Sequence, residues 1–244
     1  VVHSSKELRL HNTIDTLTLC NDYTGAAELC TLFLSQDARG GNNGRVLSRC
    51  RFLMLAEFGD RFGDKVIAEM RGVSDEEGNS PFWEWLEAHF FSMDFPTADY
   101  LSGIGNKVFI AELMPRYPIY TNLLSQEAQD VIGHVHEKTR PALRLLEREG
   151  FRYRGYVDIF DAGPTVECER EQINAVRDSV RVTVKISDVE EGSPFVACNT
   201  DFENFRATEV HINLCENQEF AFITQEHANA LNVTDGDKIR VVAL

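Results

Sequence analysis

Close cysteine pairs, long apolar runs and a surplus of basic residues are all missing from this sequence of 244 residues. Its six cysteines (Cys20, Cys30, Cys50, Cys168, Cys198 and Cys215) are scattered, with no CxxC spacing. Metal-ligand spacing is therefore absent, no metal is expected, and the thiols read mostly as buried groups in a reducing cytoplasm. No apolar stretch is long enough to span a bilayer, which excludes a helical membrane protein. The opening residues, Val1-Val2-His3-Ser4-Ser5, lack the basic and apolar regions of a signal peptide, so the expected location is cytoplasmic. Acids outnumber bases, 39 to 24, for a net charge of −15, which argues against general nucleic-acid affinity. Neither a Gly-Lys-Ser/Thr phosphate loop nor a GxGxxG fingerprint occurs. What is there is a 43% hydrophobic content, enough for one large core or two modest ones.

The most informative stretch lies between Glu28 and Phe58. An apolar run over 28–34 reads as a strand, and Ala38-Arg39-Gly40-Gly41-Asn42-Asn43-Gly44 as a turn. Val46, Leu47, Cys50, Leu53 and Met54 then follow at helical spacing. Glycines allow close approach to a ligand, and free amides at a helix start face a phosphate. Between Ala38 and Ala56 stand Arg39, Arg45, Arg49 and Arg51 with no acid among them, a local cationic patch suited to a small anion. By itself the loop suits the pyrophosphate site of acyl-CoA-dependent N-acyltransferases and a plain glycine-rich connection equally.

Alternation and turn residues predict strands over 14–19 and 28–34 joined as a hairpin through Asn21 to Gly25, then a helix over 44–58 and a strand over 65–72. Ser80-Pro81 opens an aromatic-rich helix over 82–90, whose Phe82, Trp83, Trp85, Phe90 and Phe91 read as core. Another strand is expected over 107–113. Ser125 caps a helix carrying Ala128, Val131, Ile132 and Val135. A further helix over 140–149 stops at Gly150 and leads to a strand over 151–160. Beyond Gly163-Pro164 come short β-like runs over 180–186, 209–214, 220–223 and 238–242, with one short helix over 224–231. The alternating first part and the β-rich tail suggest an α/β or α+β protein with a boundary near residues 163–180.

Several blocks occur in an order that resembles the arginine N-succinyltransferase family. They are ELCTLFL (28–34), VIAEMRGV (66–73), SPFW (80–83), FFSMDF (90–95), FIAELMP (109–115), LSQEAQDVIG (124–133), EGFRY (149–153), DIFD (158–161) and Gly163-Pro164. The likeness runs from residue 1 to about 170 and continues more loosely to Leu244. It implies a GNAT-like acyl-CoA N-acyltransferase region over residues 1–165, without the family's first strands and helices, and a small β-rich module over 166–244. It also implies transfer of succinyl from succinyl-CoA to the α-amine of L-arginine, the first step of a bacterial route of arginine breakdown. Succinyl-CoA enters as co-substrate rather than as a permanently bound cofactor, and a homo- or hetero-oligomer with a related subunit is compatible. The alternatives are a non-catalytic CoA-binding or assembly subunit, and succinylation of ornithine or another amine.

The resemblance places Leu32 at the succinyl-CoA-binding position, and the strand and glycine turn themselves add Leu34, Arg39, Gly40, Gly41, Asn43, Gly44 and Arg45 as cofactor contacts. Without it, Leu32 reads as core. Asn42 stands where the family has Gly. His136 falls on the proton-donor position, a role suited to imidazole, although a lone His at a helix end more often serves structure. His134 does not align with that position. Glu69, Asp94 and Glu112 are candidates for the substrate guanidinium and Arg71 for the succinyl carboxylate, from position and charge alone.

Overall fold

The computed structural model describes residues 1–188, 192–215 and 217–244. The chain forms two compact units. One comprises Val1–Thr24, Ala68–Leu143 and Tyr153–Val166; the other comprises Gly25–Ile67, Arg144–Arg152 and Glu167–Leu244. A four-stranded sheet has the order Ala27–Glu28, Lys65–Glu69, Pro164–Glu169, Arg152–Val157. The last three of these strands carry the chain from one unit to the other.

The first unit has an aromatic core. Phe82, Trp83, Leu86, Phe91, Ala98, Leu124, Ala128, Val131 and Ala162 are buried together. Trp83 meets Phe91, Phe95 and Phe160 at ring-centroid distances of 4.9, 6.4 and 5.2 Å. The helix Pro81–Leu86 starts at its proline as expected and widens into a π-turn over Glu87–Phe91. Ser125 caps Gln126–Val131 by accepting from the Ala128 amide. That helix stops at Val131, so Val135 lies outside it, and Gly133 turns the chain with φ +73°.

In the second unit a closed barrel runs Ser193–Asn199, Ala207–Leu214, Phe220–Ile223, Val180–Ile186, Lys238–Ala243. Its inward residues, among them Val182, Val184, Ala197, Val210, Ile212, Ile239 and Val241, pack on Ala228 and Leu231 of the Gln225–Leu231 helix. Closure leaves the barrel no unpaired edge. The helix Asn43–Glu57 buries Phe52, Leu53 and Leu55 in the same unit.

Three expectations are corrected. The strand over 28–34 is only Ala27–Glu28, extended by one bond from the Leu29 amide to the Ile67 carbonyl at 2.8 Å. Thr31 then takes φ +46°, which extended pairing cannot accommodate, and residues 30–34 run outside any ladder. The hairpin is absent, because Thr16–Leu17 pairs with Ile119–Tyr120 and Ala27–Glu28 lies parallel to Lys65–Glu69. Residues 107–113 are a helix, Val108–Leu113, rather than a strand. A short apolar run without alternation does not separate the two states.

The cysteines also depart from expectation. Only Cys168 and Cys198 are buried, while Cys20 and Cys30 are exposed and all six are free. Burial pushes the Cys198 thiol up to about 12.

Candidate active site

The glycine turn belongs wholly to the second unit. Gly40 and Gly41 have φ +146° and +50°, with open space where side chains would stand, so backbone conformation rather than crowding demands glycine there. The Asn43 amide group donates to the Ala38 carbonyl at 2.8 Å and closes the turn. Asn42 sits at φ −96°, an ordinary right-handed conformation, and its side chain donates to Glu209 at 3.1 Å. Asparagine in place of glycine therefore strains nothing at this position.

No side chain caps the Asn43–Glu57 helix and no acid stands in its first turn. The Asn43 amide donates to the Gly40 carbonyl at 3.3 Å, so among the described residues the Gly44 and Arg45 amides are the leading ones available to an anion. The cationic patch is smaller than its sequence suggests. Arg49 is held by Glu149 at 3.1 Å, and Arg51 turns back to the Ser48 carbonyl and hydroxyl. Arg39 and Arg45 remain exposed beside the turn. A helix start stabilises an anion by roughly 0.3–1 kcal/mol at an exposed site. An exposed ion pair contributes about 0.2–1 kcal/mol, so each arginine adds an amount comparable to the helix dipole. Leu32 and Leu34 precede the turn, and Leu32 is 40% exposed, which removes the core reading of that leucine.

His136, in the first unit, starts the short 3-10 turn Glu137–Thr139. Its amide donates to the Arg71 carbonyl at 2.9 Å, and Val135 bridges Gly72. Its Nδ1 accepts from the Lys138 amide at 3.1 Å. A neutral imidazole that accepts at Nδ1 carries its proton on Nε2. Below this lies Asp161, whose carboxylate accepts from the Gly72 and Gly163 amides at 2.6 and 2.8 Å. A Cβ at Gly72 would come within 2.4 Å of the Asp161 carbonyl oxygen, so only glycine fits.

The four candidate substrate residues are not gathered at one place. Arg71 is exposed and donates to Ser74 at 2.8 Å. Asp94 caps the Phe95–Gly103 helix, accepting from the Thr97 amide at 2.9 Å. These bonds from Thr97 hold its carboxyl below the usual range. Glu112 is exposed on its short helix. Among the described residues, Glu69 alone of the four lines the unit's cleft.

That cleft, of about 870 Å³, is formed by the 16–24 segment, residues 155–160 and a wall that includes Ile110, Met114 and Tyr117. Asp22 and Asp158 also line it. The Tyr156 hydroxyl donates to Asp22 at 2.6 Å, and the Tyr23 and Tyr156 rings meet at 4.6 Å. Burial, reinforced by Asp161, pushes the Asp158 carboxyl up to about 6. The sequence reading missed Asp158 and Asp22. The DIFD block carried the only signal for the former, and nothing local marked the latter.

Family profiles match almost the whole chain. "Arginine N-succinyltransferase beta subunit" covers residues 1–175, and its "C-terminal domain" profile covers residues 180–243. Arginine N-succinyltransferases of Escherichia coli strain 55989 and Escherichia fergusonii are each 51% identical, over all of this chain and 71% of theirs. A solved structure, arginine/ornithine succinyltransferase subunit AI from Pseudomonas aeruginosa, superposes with a TM-score of 0.86 at 35% identity. It is matched over all of this chain and 70% of its own. No helix among the described residues is long and apolar enough to cross a membrane. With matches this extensive, the chain belongs to the arginine N-succinyltransferase family.

Proposed function

We propose that this chain transfers succinyl from succinyl-CoA to the α-amine of L-arginine without a covalent acyl-enzyme. The 51% identity over the whole chain carries this reading. In it, the deprotonated amine attacks the thioester carbonyl; the C–N bond forms, the C–S bond breaks, the amine sheds a proton and the CoA thiolate gains one. Arg39, Arg45 and the backbone of Gly40, Gly41, Asn43 and Gly44 hold the CoA phosphates. The backbone around Leu32 and Leu34, which lies outside any ladder, receives the pantetheine amides. His136, as the imidazolium, gives the thiolate its proton and recovers one from the proton the amine sheds. Glu69, Asp94 and Glu112 stand as acceptor-side carboxylates and Arg71 as the partner of the succinyl carboxylate, with Asp94 the weakest because its oxygen is already engaged.

Residues 1–165 carry the acyl transfer and residues 166–244 form the supporting β-rich module. The reaction takes place in the cytoplasm. The words "beta subunit" and "subunit AI" in the relatives' descriptions support an oligomer, and "arginine/ornithine" supports ornithine as a second acceptor. Steady-state kinetics on the full chain tests the division of roles. Arg39→Ala with Arg45→Ala is expected to raise the succinyl-CoA KM at least tenfold with kcat little changed. His136→Ala is expected to abolish kcat while leaving succinyl-CoA binding intact; retained turnover would remove His136 from the reaction.

A further inference from the structure

We propose that the cleft of the first unit binds the cationic side chain of the acceptor amino acid, with Asp158 as its main carboxylate and Asp22 and Ser102 as further hydrogen-bonding groups. The proposal rests on the acyl-transfer reading above and adds the substrate-recognising groups to it. Among the described residues, three carboxylates, Asp22, Glu69 and Asp158, line the cleft against one ammonium, Lys107. Such a lining repels the phosphates of CoA and the succinyl carboxylate and favours a cation. The walls are otherwise aromatic and aliphatic, with Tyr23, Phe82, Met114, Tyr117 and Phe160 among them. They suit the flat guanidinium and methylene stem of arginine.

The hydrogen bonding of the acids is incomplete in a way a ligand would complete. Asp158 accepts the Phe160 and Asp161 amides through Oδ1 alone, at 2.7 and 3.1 Å, and its Oδ2 has no donor among the described residues. Asp22 spends one oxygen on Tyr156. Ser102 lines the cleft, and its Oγ is shut off from solvent without a hydrogen-bond partner among the described residues. A buried hydroxyl without a partner is costly, and a guanidinium supplies several donors. Ionising Asp158 beside Asp161 and Asp99 is likewise unfavourable until a cation arrives.

Calorimetric titration of the full chain with L-arginine, in the absence of succinyl-CoA, reads this site directly. Wild type is expected to bind arginine about tenfold or more tightly than citrulline, which has the same shape without the charge. Asp158→Asn keeps the Oδ1 acceptor for both turn amides and is expected to erase that preference. Ser102→Ala should weaken arginine binding several-fold, and Glu127→Gln, at an exposed helix position outside the cleft, should change nothing. Should Asp158→Asn fail to fold, Asp22→Asn gives the same comparison. Equal arginine affinity in wild type and the cleft variants, or no arginine binding by wild type, overturns the proposal. Arginine binding that depends on Asp158 in a protein that releases no CoA would sustain the cleft and overturn the transfer reading instead.

Discussion

His136 uses its two ring nitrogens differently, and substitutions can separate them. Nδ1 accepts from the Lys138 amide, which leaves Nε2 to hold the proton. Asparagine can reproduce the acceptor but has nothing at the position of Nε2. His136→Asn is therefore expected to keep wild-type stability and lose turnover, whereas His136→Ala loses turnover and also about 0.5–2 kcal/mol of stability with the cap. Urea unfolding beside a turnover assay checks both; a His136→Asn protein that works would make the residue structural only. Asp158 gives a pH signature. Its folded value of about 6 lies above the ordinary 3.8. The folded state thus holds the proton more tightly than the unfolded chain does. The stability this lends is fully present below about pH 4 and is lost as pH rises through about 6, a swing of ~3 kcal/mol. Asp161 and Asp99 reinforce the shift, the Phe160 and Asp161 amides oppose it, and Lys107, Asp22 and Glu69 line the same cleft. Asp158→Asn should flatten the stability profile between pH 4 and 7, and an unchanged slope would show that this carboxyl ionises normally.

At the scale of elements, the helix Asn43–Glu57 matters because both its ends are committed. Its start is open to an anion, while Glu57 at its last turn is almost fully buried and pairs with Arg181 and with Arg240, the latter at 2.9 Å. Water solvates half-exposed Arg181 but only part of Arg240, so Glu57→Gln is expected to cost about 1–3 kcal/mol. It should also loosen the phosphate turn and raise the succinyl-CoA KM. Denaturant unfolding and kinetics on the same variant check this; loss of stability without a change in KM would show that the turn is set locally. This helix was legible in the sequence because Val46, Cys50, Leu53 and Met54 recur at its period, and Gln126–Val131 because Ser125 caps it. Ser193–Asn199 was not legible: its last four residues are all buried, so no alternation between faces survives to be read. The strand expected at 28–34 failed for the opposite reason. Its apolar residues suggested burial, yet Leu32 and Phe33 are exposed, at 40% and 76%. That exposure fits a surface kept for a ligand better than it fits core.

At the scale of the whole molecule, a net charge of −15 makes local sign reversals informative. The second unit presents Arg39 and Arg45 at an uncapped helix start; the first holds an acid-lined cleft. The two co-substrates of a succinyl transfer to arginine have the complementary charges, phosphate on one and guanidinium on the other. The anion turn could be read from sequence, because glycines, arginines and helix start are contiguous. The acid-lined cleft could not, because Asp22, Glu69 and Asp158 come from separate segments that only folding brings together. The most direct measurement is arginine-dependent release of free CoA thiol from succinyl-CoA by the full chain, with the product located by NMR. Thiol release is expected only when both substrates are present, with succinylation at the α-nitrogen and no release by His136→Asn. Thiol release that is independent of arginine, or a succinyl group on the guanidinium, would contradict transfer to the α-amine.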